Sequence, residues 1–354
     1  MKILVTGGAG FIGSALIRFL IKNTDHTILN FDALSYSGNL SSLDTIKDSP
    51  KYSFVEGDIC DEKKLQFTFS DFQPEGLIHL AAESHVDRSI DNSTPFINTN
   101  ILGTFNLLNT SLTYWRSMPS RLKQDFLFHH VSTDEVYGDI HADEPPCDEL
   151  KAYEPSSPYS ASKAASDHLV SSWHRTYKFP AIITNCSNNY GPFHFPEKFI
   201  PHIILNSLHG KQIPIYGNGQ QIRDWIYVDD HVQGLYLAFM NGAAGETYNI
   251  GASNEIKNIH IANAVCLLLD ELVTNKPNRI NSFSDLITFV KDRPGHDQRY
   301  AINSSKIKSQ LGWKANETFE SGLRKTVQWY LDNKDWWMAI LERDYSLSRI
   351  GKSE

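Results

Sequence analysis

The opening stretch MKILVTGGAGFIG (1–13) carries a short apolar run, glycines at Gly7, Gly10 and Gly13, and then the start of an amphipathic pattern. Glycines at that spacing between a strand and a helix allow a tight turn, let backbone N–H groups approach a pyrophosphate, and let helix and strand pack closely. A glycine-rich turn on its own is a weak sign, but this one stands where the mechanism needs it. The next apolar run, 27–32, ends in Asp32. A carboxylate there accepts from a ribose 2′-hydroxyl and repels a 2′-phosphate, which predicts NAD rather than NADP.

Outward from this turn, short apolar runs at 3–6, 27–32, 53–58, 76–82, 126–133 and 181–186 alternate with helical patterns at 12–23, 61–72, 95–115 and 158–177. That alternation predicts a Rossmann-like, doubly wound α/β fold with a parallel sheet. Beyond about 188 the rhythm gives way to Pro- and Gly-rich segments, so we expect an NAD-binding domain over 1–188 and a smaller, mainly substrate-binding C-terminal domain over 189–354. Segments 224–257 and 301–325 are expected to return to the first domain, with a helix over 224–240 and a strand over 246–251.

Composition narrows the function classes. The 354 residues carry 33 basic and 41 acidic side chains, a formal charge of −8, with no basic run. An electrostatic grip on nucleic acid or an anionic membrane therefore has no source. No apolar stretch reaches the roughly 18 residues a spanning helix needs, and the N-terminus reads as a strand rather than a signal peptide. Cys60, Cys147, Cys186 and Cys266 are too scattered for a zinc site or a disulfide framework, so no metal and a reducing cytoplasm are expected.

The chemistry is written further along. Tyr159 and Lys163 stand at i and i+4 on a helix whose start is marked by Ser157 and Pro158. An ammonium held beside a phenol is expected to lower its pKa from about 10, making Tyr159 a base for an alcohol. The fifth apolar run ends in VSTDEVYG (131–138), where Asp134 and Glu135 put two carboxyls at the end of a buried strand. Like charges so close push their pKa values apart, leaving one as acid and one as base. Asp58 closes the third run, placed either to meet the adenine end of a dinucleotide or to cap the next helix beside Asp61, and the small residues of LAAES (80–84) leave room for a dinucleotide.

Taken together, GGAGFIG (7–13) and YSASK (159–163) resemble the extended short-chain dehydrogenase/reductase superfamily. LAAESHVDRSI (80–90), STDEVYG (132–138), CSNNYGP (186–192), PEKFIP (196–201), RDWIYVDDH (223–231) and RPGHDQRYAI (293–302) make the whole chain similar to its dTDP-glucose 4,6-dehydratase family. The resemblance implies that Phe11 and Ile12, Asp32, Ala33, Leu34 and Ser35, and Asp58 and Ile59 surround NAD. It implies the same for Leu80, Ala81, Ala82, Glu83 and Ser84, and for Thr99, Tyr159, Lys163 and Asn189. For the nucleotide sugar it implies Ser84, Thr133, Asn188, Lys198 and Phe199, then Pro214, Ile215, Tyr216, Arg223 and Asn258, and finally Arg293, His296 and Tyr300. Guanidinium groups at Arg223 and Arg293 suit a diphosphate.

The pattern departs from the family at Ala33, where a lysine is usual, at Asn303, where an aspartate is usual, and in a short stretch over 139–153. The implied reaction is dehydration with internal hydride transfer. Tyr159 acts on the 4-hydroxyl, Thr133 holds its oxygen, Glu135 takes the carbon 5 proton and Asp134 protonates the leaving 6-hydroxyl. Three rivals are a UDP-glucose dehydratase, a nucleotide-sugar 4-epimerase, which needs no Asp134–Glu135 pair, and an NAD-binding regulator. The family also implies a homodimer formed through the patterns 95–115 and 158–177.

Overall fold

A computed structural model describes residues 1–343 and Leu347. The apolar runs become strands β1 (Lys2–Thr6), β2 (Thr27–Asp32), β3 (Tyr52–Glu56), β4 (Gly76–His79), β5 (Phe128–Thr133) and β6 (Ala181–Cys186). They are followed by β7 (Asn188–Tyr190), β8 (Ile213–Tyr216), β9 (Ile222–Tyr227), β10 (Thr247–Ile250), β11 (Glu255–Lys257) and β12 (Ile287–Val290). Seven of them form one sheet in the order β10-β6-β5-β4-β1-β2-β3. Every pairing in it is parallel. This is a Rossmann-like α/β fold.

Both faces of this sheet are covered, which is why its strands read as continuous apolar runs rather than alternating ones. One face packs Ile3, Val5 and Ile78 on Leu16 and Leu20 of helix Phe11–Asn23 and on Val232 and Leu235 of helix Val228–Asn241. The other packs Leu4, Leu77 and Phe128 on Leu107 and Leu108 of helix Thr104–Ser117 and on Val170 of helix Pro158–Tyr177. A separate core gathers Ile203 and Ile204 of helix Phe199–Leu208, Trp225, Val265 and Leu269 of helix Asn258–Leu272, and Val327 and Tyr330 of helix Phe319–Asp332.

Three expectations shift in detail. Residues 224–227 are the buried end of β9, and the helix expected from 224 begins only at Val228, because Trp225, Ile226 and Tyr227 bury their side chains beside β7 and β11. Strands β3 and β4 stop at Glu56 and His79, so Asp58 and the segment 80–84 lie in the loops beyond them. The pattern 95–115 is broken: Thr94–Phe96 is a single turn, Ile97–Gly103 is π-helical, and Thr104–Ser117 is regular. The end of the expected C-terminal domain, 344–346 and 348–354, lies outside the described residues.

Candidate active site

The parallel strands all end on one side, and the loops that leave them line a single long cleft. At one end is the glycine turn. Gly7 holds φ +74°, and a Cβ there would lie 2.5 Å from the Ala81 backbone nitrogen. A Cβ on Gly13 would lie 2.1 Å from the Gly7 carbonyl oxygen. Only glycine fits such a cradle, whose shape suits a pyrophosphate at the start of helix Phe11–Asn23. Asp32 accepts from the backbone N–H groups of Ala9 and Leu34, both at 2.8 Å. Burial raises its pKa while those bonds oppose the rise. Two lone-pair sites remain for ribose hydroxyls, so these residues fit NAD.

Of the residues expected around the cofactor, Phe11, Ile12, Ala33, Ser35, Asp58, Ile59, the segment 80–84, Thr99 and Asn189 line the cleft. Leu34 does not. Its N–H closes the turn on Asp32 at φ 49°, and its backbone rather than its side chain does the positioning. Asn189 commits its carbonyl oxygen to His231 and its amide to the Ser187 carbonyl.

The middle of the cleft holds the chemistry. Ser157 caps helix Pro158–Tyr177 through a reciprocal bond with Ser160, and the next turn buries both Tyr159 and Lys163. Lys163 Nζ donates to the Val131 carbonyl at 2.9 Å and lies 3.4 Å from His130 Nε2. The Tyr159 hydroxyl meets Thr133. Contrary to the expectation from spacing, the Tyr159 pKa is raised: burial and the neighbouring Glu135, Cys186 and Asp134 outweigh the bond from Thr133. Helical spacing put Lys163 on the expected face of the helix, where its ammonium donates to a strand carbonyl.

Just past β5, Asp134 and Glu135 open a single 3₁₀ turn, Asp134–Tyr137. Thr133 Oγ1 donates to Asp134 Oδ1 and accepts from the Glu135 N–H, each at 3.3 Å. Asp134 Oδ2 and Glu135 Oε2 are buried without protein partners. Burial, then Glu135 and Asp224, drive Asp134 well above the usual carboxylate range. Glu135 also rises through burial, yet Arg293, Arg223 and Lys198 pull it back. Burial thus favours the protonated form of both carboxyls, and the neighbouring cations counter it more at Glu135 than at Asp134.

The far end of the cleft is cationic. Arg223 is 5% exposed, stacks on Tyr300 and, among the described residues, donates only to the backbone carbonyls of Ile222, Asp297 and Gln298. Arg293 Nη1 is buried without a partner. Lys198 donates to the Ser84 carbonyl at 2.8 Å. Asn188, Phe199, Pro214, Tyr216, Asn258, His296 and Tyr300 line the same end. Ile215 does not, because alternation along β8 turns Ile213 and Ile215 into the core and Pro214 and Tyr216 toward the cleft. His296 bonds Asp292 at 2.6 Å, and burial lowers its pKa to about 4.

The sequence reading left out Asp87, His194 and Glu197, all of which line the cleft. Asp87 accepts from the Tyr216 hydroxyl at 2.6 Å and faces Arg293 at 3.7 Å. His194 stacks on Phe11 at 4.1 Å. Glu197 takes Arg88 at 3.0 Å. Asp87 and Glu197 stood inside SHVDRSI and PEKFIP as charges beside apolar residues, a signal too general to single them out. Among the described residues no cluster of three His, Cys, Asp or Glu side chains forms a metal site, and no helix is long and apolar enough to cross a membrane.

The family model for GDP-mannose 4,6 dehydratase matches residues 4–326. A dTDP-glucose 4,6-dehydratase of Neisseria meningitidis is 57% identical over 350 residues, 99% of each chain. The crystal structure of dTDP-glucose 4,6-dehydratase from Streptomyces venezuelae with NAD bound superposes with a TM-score of 0.86 at 39% identity, over 96% of this chain and 100% of that one. The Bacillus anthracis enzyme, also in complex with NAD, gives 0.84 at 40% identity over 96% and 99%.

Proposed function

The chain belongs to the GDP-mannose 4,6 dehydratase family, alongside the dTDP-glucose 4,6-dehydratases within it, and from that premise we propose that it converts dTDP-glucose to the 4-keto-6-deoxy sugar nucleotide with loss of one water. The observation that carries this reading is the pair of buried Asp134 and half-buried Glu135, adjacent in sequence and unequal in the influences on their proton affinity, beside Tyr159. An epimerase has no use for that pair. The net reaction eliminates water with no net change in the cofactor, which makes the enzyme a hydro-lyase.

The glycine cradle and Asp32 would hold NAD, which would supply the acceptor for the carbon 4 hydride and its donor to carbon 6. Thr133 bonds the 4-oxygen while Tyr159 removes its proton. The 4-ketone then acidifies the carbon 5 hydrogen, which Glu135 takes as Asp134 protonates the departing 6-hydroxyl, and once hydride has returned to carbon 6, Glu135 gives a proton back to carbon 5. Arg223 and Arg293 bind the diphosphate, and the unpaired Nη1 of Arg293 supports that assignment. Each positioned acid or base contributes about 10² to 10⁴ in rate.

The working form is a homodimer. Ile97, Leu102 and Phe105 are 43%, 51% and 38% exposed along Ile97–Ser117, and Tyr177 is 39% exposed on the helix beside it. That apolar face suits a four-helix contact with a second copy, and light scattering that returned the monomer mass of 40.1 kDa would count against it. Four free thiols fit a cytoplasmic setting. Incubation with dTDP-glucose and with UDP-glucose, read by mass spectrometry, tests the function: loss of one water from dTDP-glucose is expected, and unchanged sugar nucleotide in both arms would overturn it. Comparable turnover of the two would make the pocket indifferent to a methyl group, worth only about 1–3 kcal/mol.

A further inference from the structure

Beneath the tyrosine and lysine, the same helix face continues one turn further to a carboxylate. Tyr159, Lys163 and Asp167 stand at i, i+4 and i+8, and all three are buried. Asp167 Oδ2 accepts from Ser132 Oγ at 2.9 Å. Its Oδ1 lies 3.2 Å from His130 Nε2, and that same nitrogen lies 3.4 Å from Lys163 Nζ. An ammonium enclosed this way needs a counter-charge. We infer that Asp167 is a positioning residue for the reaction, the buried carboxylate that keeps Lys163 protonated and turned toward Tyr159.

The surroundings leave Asp167 in that part. The titratable groups facing Lys163 are His79 from β4, His130 from β5, Cys186 from β6 and Asp167 from its own helix, on which Tyr159 stands one turn away. Both histidines are held neutral by burial and the Cys186 thiol is pushed up to about 12, so none of them offers a negative charge. Asp134 and Glu135 bear on Tyr159. Tyr153 and His168 flank Asp167, and burial raises the Asp167 pKa to about 6, below neutrality and so ionised there. Burial lowers Lys163, and Asp167 is the leading influence that opposes it.

The inference rests on Tyr159 as the base, and the test separates the two. In Asp167→Asn, Lys163 loses its proton more readily, so the phenol is harder to ionise and the acidic limb of the kcat profile moves to higher pH. Each unit of movement costs about tenfold in kcat on that limb, with KM and bound NAD unchanged, and Asp167→Glu restores most of the rate. A limb that stays in place, or moves to lower pH as expected from deleting a negative charge beside an intact ammonium, overturns the inference. Should Asp167→Asn fail to fold, Ser132→Ala, which weakens the carboxylate's hydrogen bond, is expected to move the limb the same way by less, and an unmoved limb there overturns it equally. In a Lys163→Met background the Asp167→Asn change is expected to alter kcat less than about twofold, since its only route to Tyr159 is gone. Near-normal turnover by Tyr159→Phe would withdraw the premise, whereas an inactive Tyr159→Phe with an unmoved Asp167→Asn limb would dismiss Asp167 alone.

Discussion

The two ends of the cleft satisfy their polar groups in opposite ways. At the cofactor end both oxygens of Asp32 accept backbone N–H groups, and the glycine turn closes on itself through Gly10 N–H and the Gly7 carbonyl. At the chemical end Asp134 Oδ2, Glu135 Oε2, Asn188 Oδ1 and Arg293 Nη1 are all buried without protein partners. A folded protein leaves few buried groups unpaired, and a cluster of them marks where a substrate completes the hydrogen bonding. One end is a finished mould for a cofactor that stays; the other is stability held back for a sugar that arrives and leaves.

The contrast is broken most directly at the unsatisfied end. Glu135→Gln is expected to lower product release by about 10² to 10⁴ while still allowing oxidation at carbon 4. NADH should then build up in the near-ultraviolet after dTDP-glucose is added, and deuterium from heavy water should not enter carbon 5. Product at the unmutated rate would reduce the carboxyl pair to loop charge. Tyr159→Phe should cost about 10² or more with NAD still bound, because the hydroxyl that it removes faces the cleft; the rate of the first hydride transfer checks it.

Gly13→Ala addresses the finished end. Its Cβ would press on the Gly7 carbonyl at 2.1 Å, so the cradle must open and the purified protein should carry little NAD, measurable as the absorbance of released cofactor. Full NAD occupancy in this variant would show that the mould is not tight.

The smallest effect sharpens the contrast through pH. Asp134 has its pKa raised well above the ordinary value in the folded state, so the folded protein binds its proton more tightly than the unfolded chain does. Stability from this group is present at low pH and is lost as pH rises from about 4, the unfolded value, to the raised folded one. Asp134→Asn removes that loss, and its melting temperature at neutral pH should exceed the parent's by on the order of 1–2 °C. Its activity should fall, with carbon 5 exchange outrunning loss of water. A lower melting temperature would mean that the buried carboxyl is satisfied after all.

Much of this was legible in the chain because it is local. The glycine turn, the strand rhythm and the spacing of Tyr159 and Lys163 depend on residues a few positions apart, and backbone geometry turns such spacing directly into shape. The pairing of Asp134 with Glu135 was equally visible, since adjacency needs no fold. Which of the two serves as the acid came from the family resemblance and not from adjacency. Their proton affinities depend on Asp224 beside one and on Arg293, Arg223 and Lys198 beside the other, all brought in from distant segments.

The same division explains the misses. Residues 224–227 read as the start of a helix because their apolar residues fit either period, and only pairing with β7 and β11 made them a strand. Ile215 was drawn into the site with its neighbours until the register of β8 against β12 decided which parity faces the cleft. Lys163 was set on the correct face by helical spacing, yet a strand carbonyl and His130 receive it, and the phenol it was meant to acidify is driven the other way by burial. The order of residues alone determined where backbone could turn, which faces were apolar and which chemistry-bearing groups lay together along the chain. The tertiary structure decided proton affinities and partners, because desolvation and Coulomb interaction act through space and take their values from whatever the fold packs within a few ångströms.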